Sequence, residues 1–147
     1  MSECGYIINK FDYGYEEYFE NNGLREGIYK LYYNNRHPFK LCTYVNGLRE
    51  GIYKEYHYNG QLAEESMYVN DKIEGIYKEY HCNGQLKKEC MYINNKKEGI
   101  YKSYWDNGQP GLECNYINGK INGILKMYHK NGQLAEIYYY VNNKKMK

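Results

Sequence analysis

Three histidines, His57, His81 and His129, fall on one phase of a 24-residue step, and Trp105 takes the remaining place in that series. A histidine column invites a metal reading, because neutral imidazole is a common ligand. The spacing argues against it. If one step is a hairpin, His57 and His81 stand two strand spacings apart, about 9.6 Å. Ligands sharing an ion each need a donor about 2.0–2.1 Å from it. The column therefore implies packing or surface recognition, with no metal. The five cysteines show no CxxC spacing. Cys90 and Cys114 are one step apart, beyond the ~4.4–6.8 Å Cα separation of a disulfide. Cys42, Cys90 and Cys114 read as small neighbours of tyrosines, and Cys4 and Cys82 as exposed thiols. His81 and Cys82 are adjacent, so on a strand they point to opposite faces and cannot form a nucleophile–base pair. The repeated glutamates are matched to lysines. No catalytic residue and no cofactor is expected.

The step itself organises the chain. Gly27, Gly51, Gly75, Gly99 and Gly123 each open a block of 24 residues, giving the repeats 27–50, 51–74, 75–98, 99–122 and 123–146. Asn22 to Lys30 recurs unchanged as Asn46 to Lys54. Residues 1–26 read as a degenerate N-terminal cap with a partial copy. Counting places from each glycine, seven are invariant: Gly one, Ile two, Lys four, Tyr six, Asn nine, Tyr eighteen and Asn twenty. A strict period of this length signals a repeat architecture, in which function belongs to a surface.

Places nine and ten read Asn-Gly in four blocks, at Asn59, Asn83, Asn107 and Asn131. Asn-Gly between strand-like runs predicts a type I′ hairpin, with positive φ at both residues. Asn35-Arg36 should turn more loosely. Places twenty and twenty-one also tolerate positive φ. A residue bonded to one neighbouring strand cannot offer the same groups to the other. That argues against a two-residue loop there and for one of about four residues. The expected fold is all-β: an elongated single-layer antiparallel meander of tandem β-hairpin repeats.

The same register predicts rows. One face carries Lys54, Glu65, Lys78, Glu89, Lys102, Glu113 and Lys126, alternating in sign, beside an Ile/Met row. The other carries Tyr eighteen opposite Gly one of the next block, then Tyr53, Ser66, Tyr77, Cys90, Tyr101 and Cys114. A third row pairs His57 with Leu62, His81 with Leu86 and Trp105 with Pro110.

Composition narrows the function. The net charge of +2 offers no strong field for nucleic acid, and no basic stripe favours a membrane surface. The mean hydropathy of −0.95 overstates polarity, because 22 residues are Tyr, whose rings bury well. No apolar run approaches the ~18 residues of a membrane span, and the start lacks the pattern of a signal peptide. A cytoplasmic location follows as an expectation.

The pattern Gly-x-Tyr-Lys-x-Tyr, Asn-Gly-Gln-Leu, then Glu, Tyr and Asn-Gly-Lys resembles the variant form of the MORN repeat, over Asn22 to Lys147. The resemblance implies a β-rod serving as a scaffold or interaction module. It also implies two alternatives, an antitoxin-like neutralising protein and a phospholipid-associated module. From the residues, the expectation is a non-enzymatic protein-binding module using the aromatic face. Its candidate contacts are Trp105, Tyr53, Tyr77, Tyr101, His57, His81 and His129. Ile137, Tyr138, Tyr139, Tyr140 and Val141 read as an open edge strand able to pair with a partner or a second copy as a homodimer.

Overall fold

The computed structural model describes residues 4–147. Two compact units divide the chain, one running to Lys72 and the other Ile73–Lys147. The first contains β1 (Cys4–Phe11), β2 (Gly14–Asn21), β3 (Leu24–Tyr33), β4 (Pro38–Val45), β5 (Leu48–Arg49), β6 (Gly51–Tyr56) and β7 (Leu62–Val69). The short β8 (Lys72–Ile73) falls at the division. The second unit contains β9 (Gly75–Tyr80), β10 (Leu86–Ile93), β11 (Lys96–Tyr104), β12 (Pro110–Ile117), β13 (Lys120–Ile121), β14 (Gly123–Tyr128), β15 (Leu134–Val141) and β16 (Lys144–Lys145). Within each unit the strands follow one another as an antiparallel meander of tandem hairpins. Among the described residues no helix is long and apolar enough to cross a membrane.

The Asn-Gly hairpins differ from the expected type I′. Gly60, Gly84, Gly108 and Gly132 have positive φ, and their asparagines do not. The loop is three residues long, closed by His57 N–H to Gln61 O and Gly60 N–H to His57 O, each 2.8 Å. This is a type I turn ending in a glycine bulge. Asparagine is there for its side chain. Asn59 Oδ1 accepts from Gln61 N–H at 3.1 Å, and Asn83, Asn107 and Asn131 repeat the bond. The bulge moves the partner of place six by one residue. Tyr56 pairs with Leu62 and Tyr104 with Pro110, so the expected His57–Leu62, His81–Leu86 and Trp105–Pro110 pairs do not form.

The second turn also departs from expectation. Asn70–Asp71, Asn94–Asn95 and Asn142–Asn143 have positive φ at both residues, so this is the two-residue type I′ hairpin. A bulge at the block-opening glycine relieves the phase conflict that argued against it. Met91 pairs with Glu98 but Glu89 with Lys102, so three residues of β10 face five of β11. Beyond the bulge the expected charge register holds: Glu89 lies between Lys78 and Lys102, and Glu113 between Lys102 and Lys126. Tyr eighteen consequently faces the glycine of its own block, as in Tyr68–Gly51, and meets place twenty-three on the other side, as in Tyr92–Lys97.

Gly99 has φ +75° and open space where a Cβ would sit. Gly99→Ala should therefore lose about 1–2 kcal/mol from backbone conformation alone, and Gly99→Asn less. Urea denaturation measures both; equal stability of all three proteins would show that the bulge does not need its glycine.

The two faces bury unequally. Tyr29, Cys42, Tyr53, Ser66 and Tyr68 are buried in the first unit, and Cys90, Cys114 and Leu125 in the second. The cysteines sit opposite tyrosines as expected: Cys42–Tyr29, Cys90–Tyr77, Cys114–Tyr101. Cations at place twenty-three lie over the rings. Arg49 is 4.0 Å from the Tyr68 centroid, and Lys97 is 4.6 and 4.9 Å from those of Tyr101 and Tyr116. The Ile/Met row on the other face stays exposed.

Neighbouring blocks are stitched at both hairpin ends. At four of the five bulges the preceding glutamate accepts the first N–H of the next type I′ turn: Glu26 from Asn46 (2.8 Å), Glu50 from Asn70 (2.9 Å), Glu74 from Asn94 (2.8 Å) and Glu98 from Asn118 (2.7 Å). At the other end Asn83 and Asn107 donate to Asp106 O and Lys130 O at 2.7 and 2.8 Å. β1 and β2 pair as a further hairpin, and Glu17 meets Lys30 at 3.1 Å, the ladder position of the later glutamates. On β15, Tyr140 and Val141 pair with Lys145 and Lys144 of β16, and Met146 N–H bonds Tyr139 O at 2.8 Å. The backbone of these three residues is thus already engaged on that side.

Candidate binding hollow

Place seven is where the histidine column acquires a structural explanation. His81 Nε2 lies 2.9 Å from Tyr104 O, and Trp105 Nε1–H donates to Tyr128 O at 3.1 Å. Tyr33 O–H makes the equivalent bond to Tyr56 O at 2.9 Å. A ring that reaches the next block's carbonyl is what the place requires. The indole satisfies that requirement and adds a larger apolar surface.

That surface forms one wall of a cavity of about 360 Å³ in the second unit. Its lining comprises His81, Lys87, Lys88, Tyr101, Ser103, Tyr104, Trp105, Gly111, Leu112 and Met127. Several of these are departures from the repeat. Place five is Glu55 and Glu79 in the second and third blocks, then Ser103 and Met127. Place fourteen is Lys40, Glu64, Lys88 and Glu136 in four blocks but Leu112 in the fourth. Place thirteen is Phe39, Ala63, Lys87 and Ala135 elsewhere, and Gly111 here. The register collects them: Ser103 and Met127 flank Leu112 on its two sides. A charged row is interrupted by Ser-Leu-Met, and a glycine replaces a side chain beside the indole. A Cβ on Gly111 would lie 3.6 Å from Trp105 Nε1 and 3.4 Å from Ser103 Oγ.

The mouth is basic. Glu79 pairs with both Lys87 Nζ (2.6 Å) and Lys88 Nζ (2.5 Å). Burial works against its ionisation, but the two lysines outweigh burial and hold its carboxyl below the usual range. Two cations against one anion leave a net positive rim. Burial pushes the Cys114 thiol up to about 11, the reverse of an activated nucleophile. Among the described residues no group of three His, Cys, Asp or Glu side chains is placed to hold a metal ion. The arrangement can seat an apolar group beside an anion.

Of the sequence-selected residues, the hollow brings together Trp105, Tyr101 and His81. Trp105 is 41% exposed. Tyr77 is half-buried against Tyr92, with ring centroids 5.6 Å apart. Tyr53 is only 5% exposed, beside Tyr68 at 5.2 Å, and offers no open surface. His57 belongs to the first unit, and His129 closes the last Asn-Gly loop. Of the edge residues, Ile137 and Tyr139 are each 55% exposed. Ser103, Gly111, Leu112, Met127, Lys87 and Lys88 escaped the sequence reading. Part of the signal was present: aligning blocks by their variable places, rather than their invariant ones, isolates Ser103, Gly111 and Leu112 of the fourth, whereas Met127 belongs to the fifth and Lys87 and Lys88 to the third.

No curated protein matches this chain. Among solved structures, the crystal structure of the GtfA/B complex bound to UDP and GlcNAc is similar over 91% of this chain, at 11% identity and a TM-score of 0.30. This chain spans about a quarter of its length, 24%. The family model of the MORN repeat variant matches residues 49–70, 73–94, 97–118 and 121–142. Each match starts at place twenty-three, passes the glycine bulge and the Asn-loop, and ends at Asn twenty of the next type I′ turn. Period, turn residues and matched stretches coincide, and the chain belongs to the family of MORN repeat variants.

Proposed function

We propose that this chain is a non-catalytic interaction module that holds a partner protein by an apolar side chain seated against Trp105. Repeat proteins of this kind recognise through surface, and this surface has one place unlike the others. The observation that carries the reading is the convergence of Ser103, Gly111, Leu112 and Met127, four departures from the repeat, on one apolar hollow under the single Trp. A partly exposed Trp over a desolvated floor is the usual composition of a binding hot spot. The basic rim favours a partner segment with acidic residues beside its anchor.

The test uses the full chain as bait in a lysate of its host, with Trp105→Ala and Leu112→Lys in parallel. A partner captured by the wild type should be purified and titrated against each protein, with Trp105 emission as the reporter in the wild type and calorimetry for all. Each substitution should weaken binding about 30-fold or more, as expected for a hot spot. Equal affinity for all three proteins, each verified as folded by circular dichroism, would overturn the reading.

A further inference from the structure

The opposite face of the second unit is apolar and uncovered. Ile76, Met91, Ile100, Ile124 and Tyr139 are exposed on five of the six main strands, Ile100 by 59%, and β12 carries Asn115 at this position. They form a stripe broken only at Asn115: Ile76, Met91 and Ile100 line one shallow hollow, Ile100, Asn115 and Ile124 the next, and Ile124 pairs with Tyr139. Beside the stripe runs the row Lys78, Glu89, Lys102, Glu113, Lys126, which ends on Ile137 of β15. The ion pairs of this unit are Lys87–Glu79, Lys88–Glu79 and Lys130–Asp106; among the described residues the row adds none. Its charges stand in register without closing on one another.

We propose that this face packs against the same face of a second copy. An exposed apolar sheet face is ordinarily covered by another layer, and two sheets pack face to face about 10 Å apart. The charge row selects the occupant. A partner with a uniform charge would meet repulsion at every other position. A second copy, turned about a two-fold axis that runs along the strands, lays stripe on stripe and row on row with the strand order reversed. The six main strands of the unit are β9, β10, β11, β12, β14 and β15, so the central axis falls between β11 and β12. Glu89 then faces Lys126, and Lys102 faces Glu113, each contact occurring twice by symmetry. Met91 meets Ile124, Ile76 meets Tyr139, Ile100 meets Asn115 at the centre, and Lys78 at the end of the row meets Ile137. The Trp105 hollow lies on the other face and remains open, so this inference stands apart from the proposed function.

Sedimentation equilibrium of the full chain, from micromolar to submillimolar concentration, tests it. The wild type should be a monomer–dimer system. Ile100→Lys and Glu89→Lys should each raise the dissociation constant about tenfold or more, the second by turning two symmetric attractions into repulsions. The double substitution Glu89→Lys/Lys126→Glu should restore dimerisation. Within each copy it places like charges side by side, so recovery cannot arise from a better fold. Trp105→Ala should leave the dimer unchanged. A wild type that stays monomeric, a dimer indifferent to Ile100→Lys and Glu89→Lys, or a double variant without recovery would each overturn the proposal. Capture of a different protein by this face, with the chain itself monomeric, would do the same.

Discussion

Gly14→Ala should unfold the N-terminal hairpin of the first unit at a cost of about 3 kcal/mol. A Cβ on Gly14 would sit 1.8 Å from the backbone oxygen of Tyr32 and 2.9 Å from its carbonyl carbon. A flexible side chain could swing away, but backbone cannot. β2 and β3 must part where Gly14 pairs with Tyr33, at the end of the strand pair that stacks Tyr15 on Tyr32 with centroids 4.6 Å apart. The Asn34 N–H to Tyr13 O bond, 2.9 Å, lies beside this point and should open as well. Gly5→Ala is the control, since its Cβ would meet nothing within 4 Å. Urea denaturation gives the size, and hydrogen exchange at Tyr15 and Asn34 gives the place. A loss below about 1 kcal/mol would mean that the strands yield there at little cost.

The second large effect concerns a buried carboxylate. Glu16 is 8% exposed. Its oxygens accept from Tyr29 O–H at 2.6 Å and Asn9 Nδ2 at 2.9 Å, with Arg25 at 3.4 Å. Burial alone would raise its pKa, but the Tyr29 and Asn9 bonds and the Arg25 charge outweigh burial and hold it below the ordinary range. Arg25 in turn lies over the rings of Tyr18 and Tyr29, 4.8 and 4.7 Å from their centroids. Glu16→Gln keeps the volume, removes the charge and leaves the guanidinium without its anion. It should cost about 2–3 kcal/mol at neutral pH. Because the folded pKa is the lower one, this stabilisation is complete above the ordinary glutamate value of about 4.3. It fades as pH falls through the folded value, where the wild type protonates too. The gap between wild type and variant should therefore close in acid. A gap of constant size from neutral pH into acid would assign the effect to shape instead of charge.

How much was legible depends on what each residue does. The 24-residue period, the all-β class, the Lys–Glu ladder and the Cys–Tyr pairs follow from spacing and side-chain size, and the structure shows them. The turns were harder. Asn nine looks like a positive-φ residue, yet its work is done by Oδ1 and Nδ2, which reach Gln85 N–H and Asp106 O from Asn83. Gly one looks like the floor under a tyrosine ring, yet its φ makes it the bulge that resets the hydrogen-bond phase. Both errors share a cause: propensity states which conformation a residue tolerates, not which one the neighbouring strand demands. The hollow was only partly legible. Trp105 stood out as the lone Trp, whereas Leu112 and Met127 are unremarkable until the register places them side by side.

The glutamate that finishes the next block's turn has a consequence for how such a chain can change length. Four successive type I′ turns, at Asn46, Asn70, Asn94 and Asn118, each borrow an acceptor from a glutamate of the block before them. Duplicating or deleting one whole block leaves every lender with a borrower. An insertion of a few residues between them shifts the lender off its N–H and strands both groups. Gene-level slippage in multiples of 72 nucleotides, three per residue of a 24-residue block, is thus structurally silent at the joints, while smaller slips are not. The uninterrupted period from Gly27 to Met146 is the record such a filter would leave.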